Sequence, residues 1–204
     1  MGAGPPAAWA GLADPARAVT RTAVADAVAL GRPDQVIQVP NLREAAVLVP
    51  FLDGPTGVEL ILVKRGMTAP SHAGEIAFPG GICDTGDPDP VATALREAEE
   101  EVGLAREDVT VLGELERVST VATAFAVTPV VGWVATGREW VAQPEEIESV
   151  LRVPVADLVD PRAYHSETWV RPEWEVHFFE IEDETIWGLT ARILNGLLRR
   201  LFEP

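Results

Sequence analysis

The fold class that the sequence predicts is α/β, a sandwich of helices on a sheet, and three observations predict it. Short apolar runs bounded by glycine and proline alternate with stretches of helical periodicity. The 204 residues suffice for one compact domain with a sizeable core, and no internal repeat or low-complexity tract interrupts the mixed order.

Taken along the chain, residues 14–30 open on Asp14-Pro15, carry Ala and Val at helical spacing and stop before Gly31-Arg32-Pro33, which predicts an N-terminal helix. After a polar linker, Ala45-Ala46-Val47-Leu48-Val49-Pro50 and Val58-Glu59-Leu60-Ile61-Leu62-Val63 read as two strands of a hairpin around Asp53-Gly54-Pro55-Thr56-Gly57. A loop with Pro70, His72 and Gly74 leads through Ile76 to Phe78-Pro79-Gly80-Gly81, where paired glycines permit a backbone approach denied to other residues. Residues 89–102 are helical in pattern, with Val91, Leu95, Ala98 and Val102 on one side and Gly103 as the stop. Residues 109–115 and 125–134 read as strands, residues 145–150 as a short helical turn, and Val153-Pro154-Val155 as the start of a polar connection. Val176-His177-Phe178-Phe179 reads as strand and residues 189–201 as a closing amphipathic helix. The predicted division is an N-terminal helical extension and linker over residues 1–40 and a single domain over residues 41–204.

Composition narrows the function classes. No apolar run is long enough to span a bilayer, and residues 1–10 lack the basic start and continuous apolar stretch of a secretory signal, so a cytoplasmic protein without membrane association is expected. Sixteen Lys plus Arg against 32 Asp plus Glu leave a net charge of −16, which repels a nucleic-acid backbone. An anionic substrate then needs an imported positive charge, which points to a bound metal ion. The single cysteine, Cys83, excludes an intrachain disulfide and a cysteine-built zinc site, and reads as a passive thiol in a polar turn. The composition is compatible with a homodimer.

The chemistry concentrates in residues 96–103. At roughly 100° per residue, Glu97, Glu100 and Glu101 fall on the helix face opposite Leu95, Ala98 and Val102, with Arg96 beside them and Glu99 pointing to solvent. Three carboxylates in the last turn of a helix, whose dipole is negative there, repel one another and the helix end. A bare Glu-x-x-Glu-Glu is ordinarily a solvated acidic face. The preceding Gly-Gly turn, the adjoining arginine and the closing Gly103 favour hard oxygen ligands for Mg²⁺ or Mn²⁺ instead, ions that bridge carboxylates to phosphates and relieve the repulsion.

These residues resemble a known family. Arg96-Glu97-Ala98-Glu99-Glu100-Glu101-Val102-Gly103-Leu104 is similar to the second half of the Nudix box and matches it in full. The first half differs in spacing: counted from Gly81, its acidic position falls on Asp87, with eight residues between it and Arg96, where it could serve mainly to start the helix. The coenzyme A pyrophosphatase branch is resembled more closely, through Arg65, His72, Gly74 and Phe78-Pro79-Gly80-Gly81 and through Thr128-Pro129-Val130-Val131-Gly132, Pro144-Glu145-Glu146-Ile147, His177-Phe178-Phe179 and Ile186-Trp187-Gly188-Leu189-Thr190-Ala191. Gly66 and Pro70 depart from that branch, which has Ser or Ala and Arg at those places.

The resemblance implies a Nudix-type α/β/α sandwich with a mixed β-sheet. It also implies metal-dependent hydrolysis of the diphosphate bond of coenzyme A or a derivative to adenosine 3′,5′-bisphosphate and a 4′-phosphopantetheine product. Glu97, Glu100 and Glu101 are expected to carry the metal, Gly80 and Gly81 to line the diphosphate, and Arg96 to orient a metal-binding glutamate. The general base is left open, because a carboxylate already on a metal is a weak base: Glu100 is preferred, and Glu146 is either the alternative or an acid at a helix start. Arg65 is expected either to meet a substrate phosphate or to stand in an ion pair. His72 either bonds the ligand or orders its loop, and Trp187 is expected in the core in preference to stacking on a base. The alternatives are a pyrophosphatase for ADP-ribose or another nucleoside diphosphate compound, and a non-catalytic nucleotide-binding module.

Overall fold

The computed structural model describes residues 2–30, 42–67, 72–120, 124–135, 139–170 and 173–203. Strands β1 (Gly2–Ala3), β2 (Arg43–Gly54), β3 (Gly57–Arg65), β4 (Ile76–Ala77), β5 (Gly80–Ile82), β6 (Val109–Glu114), β7 (Val118–Thr120), β8 (Phe125–Val134), β9 (Ile147–Pro154), β10 (Tyr164–Val170), β11 (Glu173–Ile181) and β12 (Glu184–Trp187) alternate with helices α1 (Pro15–Ala18), α2 (Arg21–Ala29), α3 (Pro90–Val102), α4 (Val155–Leu158) and α5 (Gly188–Phe202). Pairing sorts the strands into an eight-stranded mixed sheet, in which β2 runs parallel to β8 and the remaining pairs are antiparallel, and a four-stranded antiparallel sheet ordered β1-β10-β11-β12.

The central strands are buried on both faces, which is why they read as unbroken apolar runs. Along β2, Ala46, Leu48 and Leu52 pack towards α3, while Val49 and Phe51 pack towards the opposite layer. Ile61 and Val63 of β3 join Leu48 under Ala94, Leu95, Ala98 and Val102 of α3. Leu60 and Leu62 face the other way, into a core with Ile193, Leu194, Leu197 and Leu198 of α5 and Val24, Ala27 and Val28 of α2. An α/β/α sandwich results, with α3 on the side that carries the acidic residues.

The N-terminal helix differs from expectation. It is two helices, because Val19 takes an extended conformation and the Thr20 side chain accepts the Ala23 N–H, capping α2 afresh. The glycine-proline stop at Gly31-Arg32-Pro33 lies outside the described residues, as does Pro70. Upstream of these helices, Trp9 is fully buried, stacked on Phe179 and edge-on to Tyr164. Residues 145–150 also depart from the reading: only 144–146 form a turn, and from Ile147 the chain is strand, drawn into the sheet by β3. Val153-Pro154-Val155 is the end of that strand and the start of α4 rather than a polar connection. Trp187, expected in the core, is 41% exposed at the start of α5, because its neighbour Ile186 takes the inward position.

Candidate active site

Helix α3 begins where local chemistry says it should. The Asp89 carboxylate accepts the Ala92 N–H at 2.8 Å and Pro90 occupies the first turn, where its missing N–H costs nothing. At the other end Gly103 adopts φ 66°, and its N–H and that of Leu104 bond back to Glu99 and Ala98 carbonyls. The last two carbonyls of the helix, of Glu101 and Val102, accept N–H groups from Gln143 (2.8 Å) and Val141 (3.1 Å). Satisfying these helix-end acceptors draws the 141–146 segment against the acidic turn and delivers Glu146 to it.

The three glutamates do not share one environment. Glu97 lies between the other two around the helix, and Glu100 and Glu101 are about 100° apart, so one turns outward and the other inward. The Glu100 side chain is 59% exposed, whereas Glu101 is 7% exposed beneath the glycine turn. The Gly80 N–H donates to Glu101 at 3.0 Å, and Arg65 approaches the same carboxylate at 3.5 Å. Burial outweighs both contacts and pushes the Glu101 carboxyl up to about 7. Glu97, half-buried, is also raised, again chiefly by burial.

The glycines explain why this packing is open to the chain. A Cβ on Gly80 would fall 2.4 Å from the Ala46 carbonyl oxygen, and one on Gly81 would fall 2.5 Å from the Glu97 carboxylate. Gly80 therefore lets the turn lie against β2, and Gly81 leaves room for the glutamate.

Arg96 is the hub on the outer side. Its Nη1 donates to Glu97 (2.9 Å) and Glu100 (3.1 Å), its Nε and Nη2 grip Asp87 at 3.2 and 2.9 Å, and Nη2 also reaches the Ile82 carbonyl at 3.2 Å. Asp87 is thus not the helix cap; Asp89 is. Asp87 accepts from Thr93 Oγ1 (2.9 Å) and the Asp84 N–H (3.0 Å) as well, and the Arg96 guanidinium holds its carboxyl well below the usual carboxylate range. Asp87 in turn raises Arg96 further above its ordinary value.

Arg65, at the end of β3, stands between two carboxylates, Glu101 at 3.5 Å and Glu146 at 3.7 Å. His72 is exposed, with φ 57°, and its Nδ1 meets Glu75 at 2.9 Å, three residues along its own loop. Cys83 follows β5 half-buried, its N–H bonded to the Glu44 carbonyl. The structure therefore gathers Glu97, Glu100, Glu101, Arg96, Gly80, Gly81, Arg65 and Glu146 at one end of α3. Among the described residues no three carboxylate, histidine or cysteine side chains converge as a ready-made metal cluster; Glu97 and Glu100 share Arg96 Nη1, while Glu101 turns to Gly80 and Arg65. Sequence reasoning missed the burial of Glu101 and the grip of Asp87 on Arg96. An acidic residue nine positions before an arginine, with Thr93 between them, was the signal for the second.

An acidic helix end beneath a glycine turn, on a mixed sheet between helical layers, defines a class of hydrolase, and residues 42–183 match the NUDIX domain family. The chain belongs to that family and is an enzyme of the Nudix hydrolase class. It is 38% identical over 163 residues to the uncharacterized Nudix hydrolase NudL of Photorhabdus laumondii, spanning 79% of this chain and 86% of that protein. The NudL of Salmonella paratyphi B is 37% identical over 176 residues, spanning 81% and 86%. A MutT/nudix family protein from Enterococcus faecalis superimposes with a TM-score of 0.54 at 13% identity, over 92% of this chain and 71% of that one, a likeness of fold. Among the described residues no helix is long and apolar enough to cross a membrane.

Proposed function

We propose that this enzyme hydrolyses the diphosphate bond of coenzyme A or its derivatives to adenosine 3′,5′-bisphosphate and a 4′-phosphopantetheine product. The observation that carries the reaction is the contrast within one helix turn, where buried Glu101 and half-buried Glu97 lie against Gly80 and Gly81 while Arg96 orients Glu97 and Glu100 from outside. The substrate rests on the resemblance of Arg65, His72, Gly74 and Phe78-Pro79-Gly80-Gly81 to the coenzyme A branch.

Nudix hydrolases generally use divalent metal ions, and the donor set fits one. Two carboxyls whose charged forms burial disfavours, beside a glycine that leaves the Glu97 oxygens accessible, suit a hard cation such as Mg²⁺ or Mn²⁺. Glu97, Glu100 and Glu101 would hold it. Bound there, such an ion would supply charge neutralisation for a diphosphate and a lowered pKa for water. Arg96 fixes Glu97 and Glu100 through one nitrogen, and Asp87 fixes the plane of Arg96 through two. Gly80 and Gly81 line the diphosphate, with His72 as a further ligand contact from its loop. Glu100, exposed, is the preferred base, and Glu146, also exposed, the alternative. The remaining elements of the reading are residues 41–204 as the catalytic domain with residues 1–40 as its extension, a cytoplasmic setting, a small-molecule substrate, no nucleic-acid or membrane partner, and compatibility with a homodimer.

A panel of coenzyme A, ADP-ribose, NADH and a nucleoside triphosphate, assayed with Mg²⁺ and with Mn²⁺ and resolved by product mass, tests the substrate. Coenzyme A should be turned over first. ADP-ribose far ahead of it would make Gly66 and Pro70 meaningful departures, and no turnover of any would favour a binding module.

A further inference from the structure

The guanidinium of Arg65 bridges two elements that the sequence separates widely. One η-nitrogen faces Glu101 in the last turn of α3 at 3.5 Å, and the other faces Glu146 in the turn before β9 at 3.7 Å. Backbone contacts close a ring through the same residues. Gly66 N–H donates to the Glu146 carbonyl (2.8 Å), Glu146 N–H to that of Gln143 (3.2 Å), and Gln143 N–H to that of Glu101 (2.8 Å). The register between β3 and β9 shifts at Lys64/Arg65, an irregularity of the kind that re-aims a side chain at a strand end. Lys64 meets Glu184 and Glu148, while Arg65 turns to the acidic end of α3.

We propose that Arg65 is a positioning residue: its forked side chain tethers the exposed Glu146 to the buried Glu101, and its charge competes with a divalent cation for Glu101. The inference rests on the hydrolytic reading of this site. At 16% side-chain exposure, beside a carboxylate at 7%, the Arg65–Glu101 pair is weakly screened, so it persists where a surface pair would not. The Glu146 side chain is 55% exposed and has the freedom of a long side chain unless something holds it. A guanidinium can serve two acceptors at once because its donors lie in a rigid planar fork, which an ammonium cannot imitate. A phosphate-binding arginine would behave differently on removal. Losing a substrate contact raises KM, whereas losing this tether lowers kcat and frees a carboxylate for the metal.

Five variants test it: R65M, R65K, E146Q, R65M/E146Q and R65K/E146Q. Each is examined by circular dichroism, by steady-state kinetics on the substrate the panel identifies, and by titration of the substrate-free protein with Mn²⁺, read from the paramagnetic resonance of the free ion. Removing one neighbouring positive charge should tighten Mn²⁺ binding in R65M by roughly five- to tenfold. Its kcat should fall about tenfold or more, with KM within about twofold of wild type. The double variant should lose no more kcat than the worse single one, because the two residues act through one contact. R65K should keep Mn²⁺ affinity near wild type yet lose kcat, again without additivity when combined with E146Q. Should R65M not fold, that R65K pattern decides the matter alone. A raised KM with kcat preserved, unchanged Mn²⁺ affinity in folded R65M, or additive losses would each overturn the assignment while leaving the hydrolytic site intact. Wild-type protein that neither binds Mn²⁺ nor cleaves any diphosphate in the panel would overturn the site reading and the tether with it.

Discussion

Removing the charge of Glu101 should stabilise the metal-free protein at high pH and leave it unchanged at low pH. Burial raises this carboxyl from an ordinary value of 4.5 to about 7. The folded protein therefore holds the proton more tightly than the unfolded chain does. The resulting stability is fully present below pH 4.5 and is lost as pH rises through 7. Across that window the loss amounts to roughly 3 kcal/mol. Movement of Arg65 and entry of water make this a ceiling. For a chain of this length the same energy corresponds to a melting difference on the order of 10 °C. A glutamine at 101 keeps an oxygen for the Gly80 N–H and carries no charge at any pH, so the variant isolates the ionisation. Thermal melts of wild type and E101Q in chelator at pH 4 and pH 8 are the assay. The two should melt together at pH 4, and E101Q should melt higher at pH 8. Added Mg²⁺ should then raise wild type more than the variant, since a ligand that binds the folded state stabilises it by mass action. A wild-type-minus-variant difference that does not change with pH would refute the argument that Glu101 is a desolvated carboxyl awaiting a cation.

Asp87→Ala should free Arg96 from its two-point grip and lower kcat by about 10- to 100-fold, as loss of an orienting partner does at metal sites, with substrate KM nearly unchanged; steady-state kinetics decide it. Gly81→Ala would set a methyl group 2.5 Å from the Glu97 oxygens, and a loss of activity of order 100-fold should accompany a well-ordered fold by circular dichroism. Glu100→Gln should reduce turnover by about 10²- to 10⁴-fold if it is the base, with little change in melting because the side chain is exposed. Glu99→Gln, also exposed, is the control and should stay within about twofold of wild type in both kinetics and melting.

Much of this was readable from the amino acids because the signals are local. Asp89-Pro90 and Gly103 bracket α3 within a few residues of contact, and the apolar runs of β2, β3 and β8 announce strands buried on both faces. What was not readable depends on distant partners. Residues 147–150 carry turn-like and helical cues, yet their backbone groups are claimed by β3, some ninety residues earlier. Strands β10 and β12 are too rich in polar residues to stand out, and exist because β11 pairs with both. At the site, helical geometry placed Glu97, Glu100 and Glu101 together but could not separate the buried member from the exposed one. That distinction comes from Gly80, which sits over Glu101 only because β5 pairs with β2. Arg65 was ambiguous for the same reason, since its two carboxylate partners lie 36 and 81 positions away along the chain.

The most direct test of the central claim is cleavage of coenzyme A by wild-type protein and by E97Q, with Mg²⁺ present and both products weighed by mass spectrometry. Wild type should yield adenosine 3′,5′-bisphosphate and a 4′-phosphopantetheine product, and a folded E97Q should cleave at least about 100-fold more slowly. Equal rates from the two proteins would contradict it, because Glu97 is the carboxylate that Arg96 orients and Gly81 accommodates.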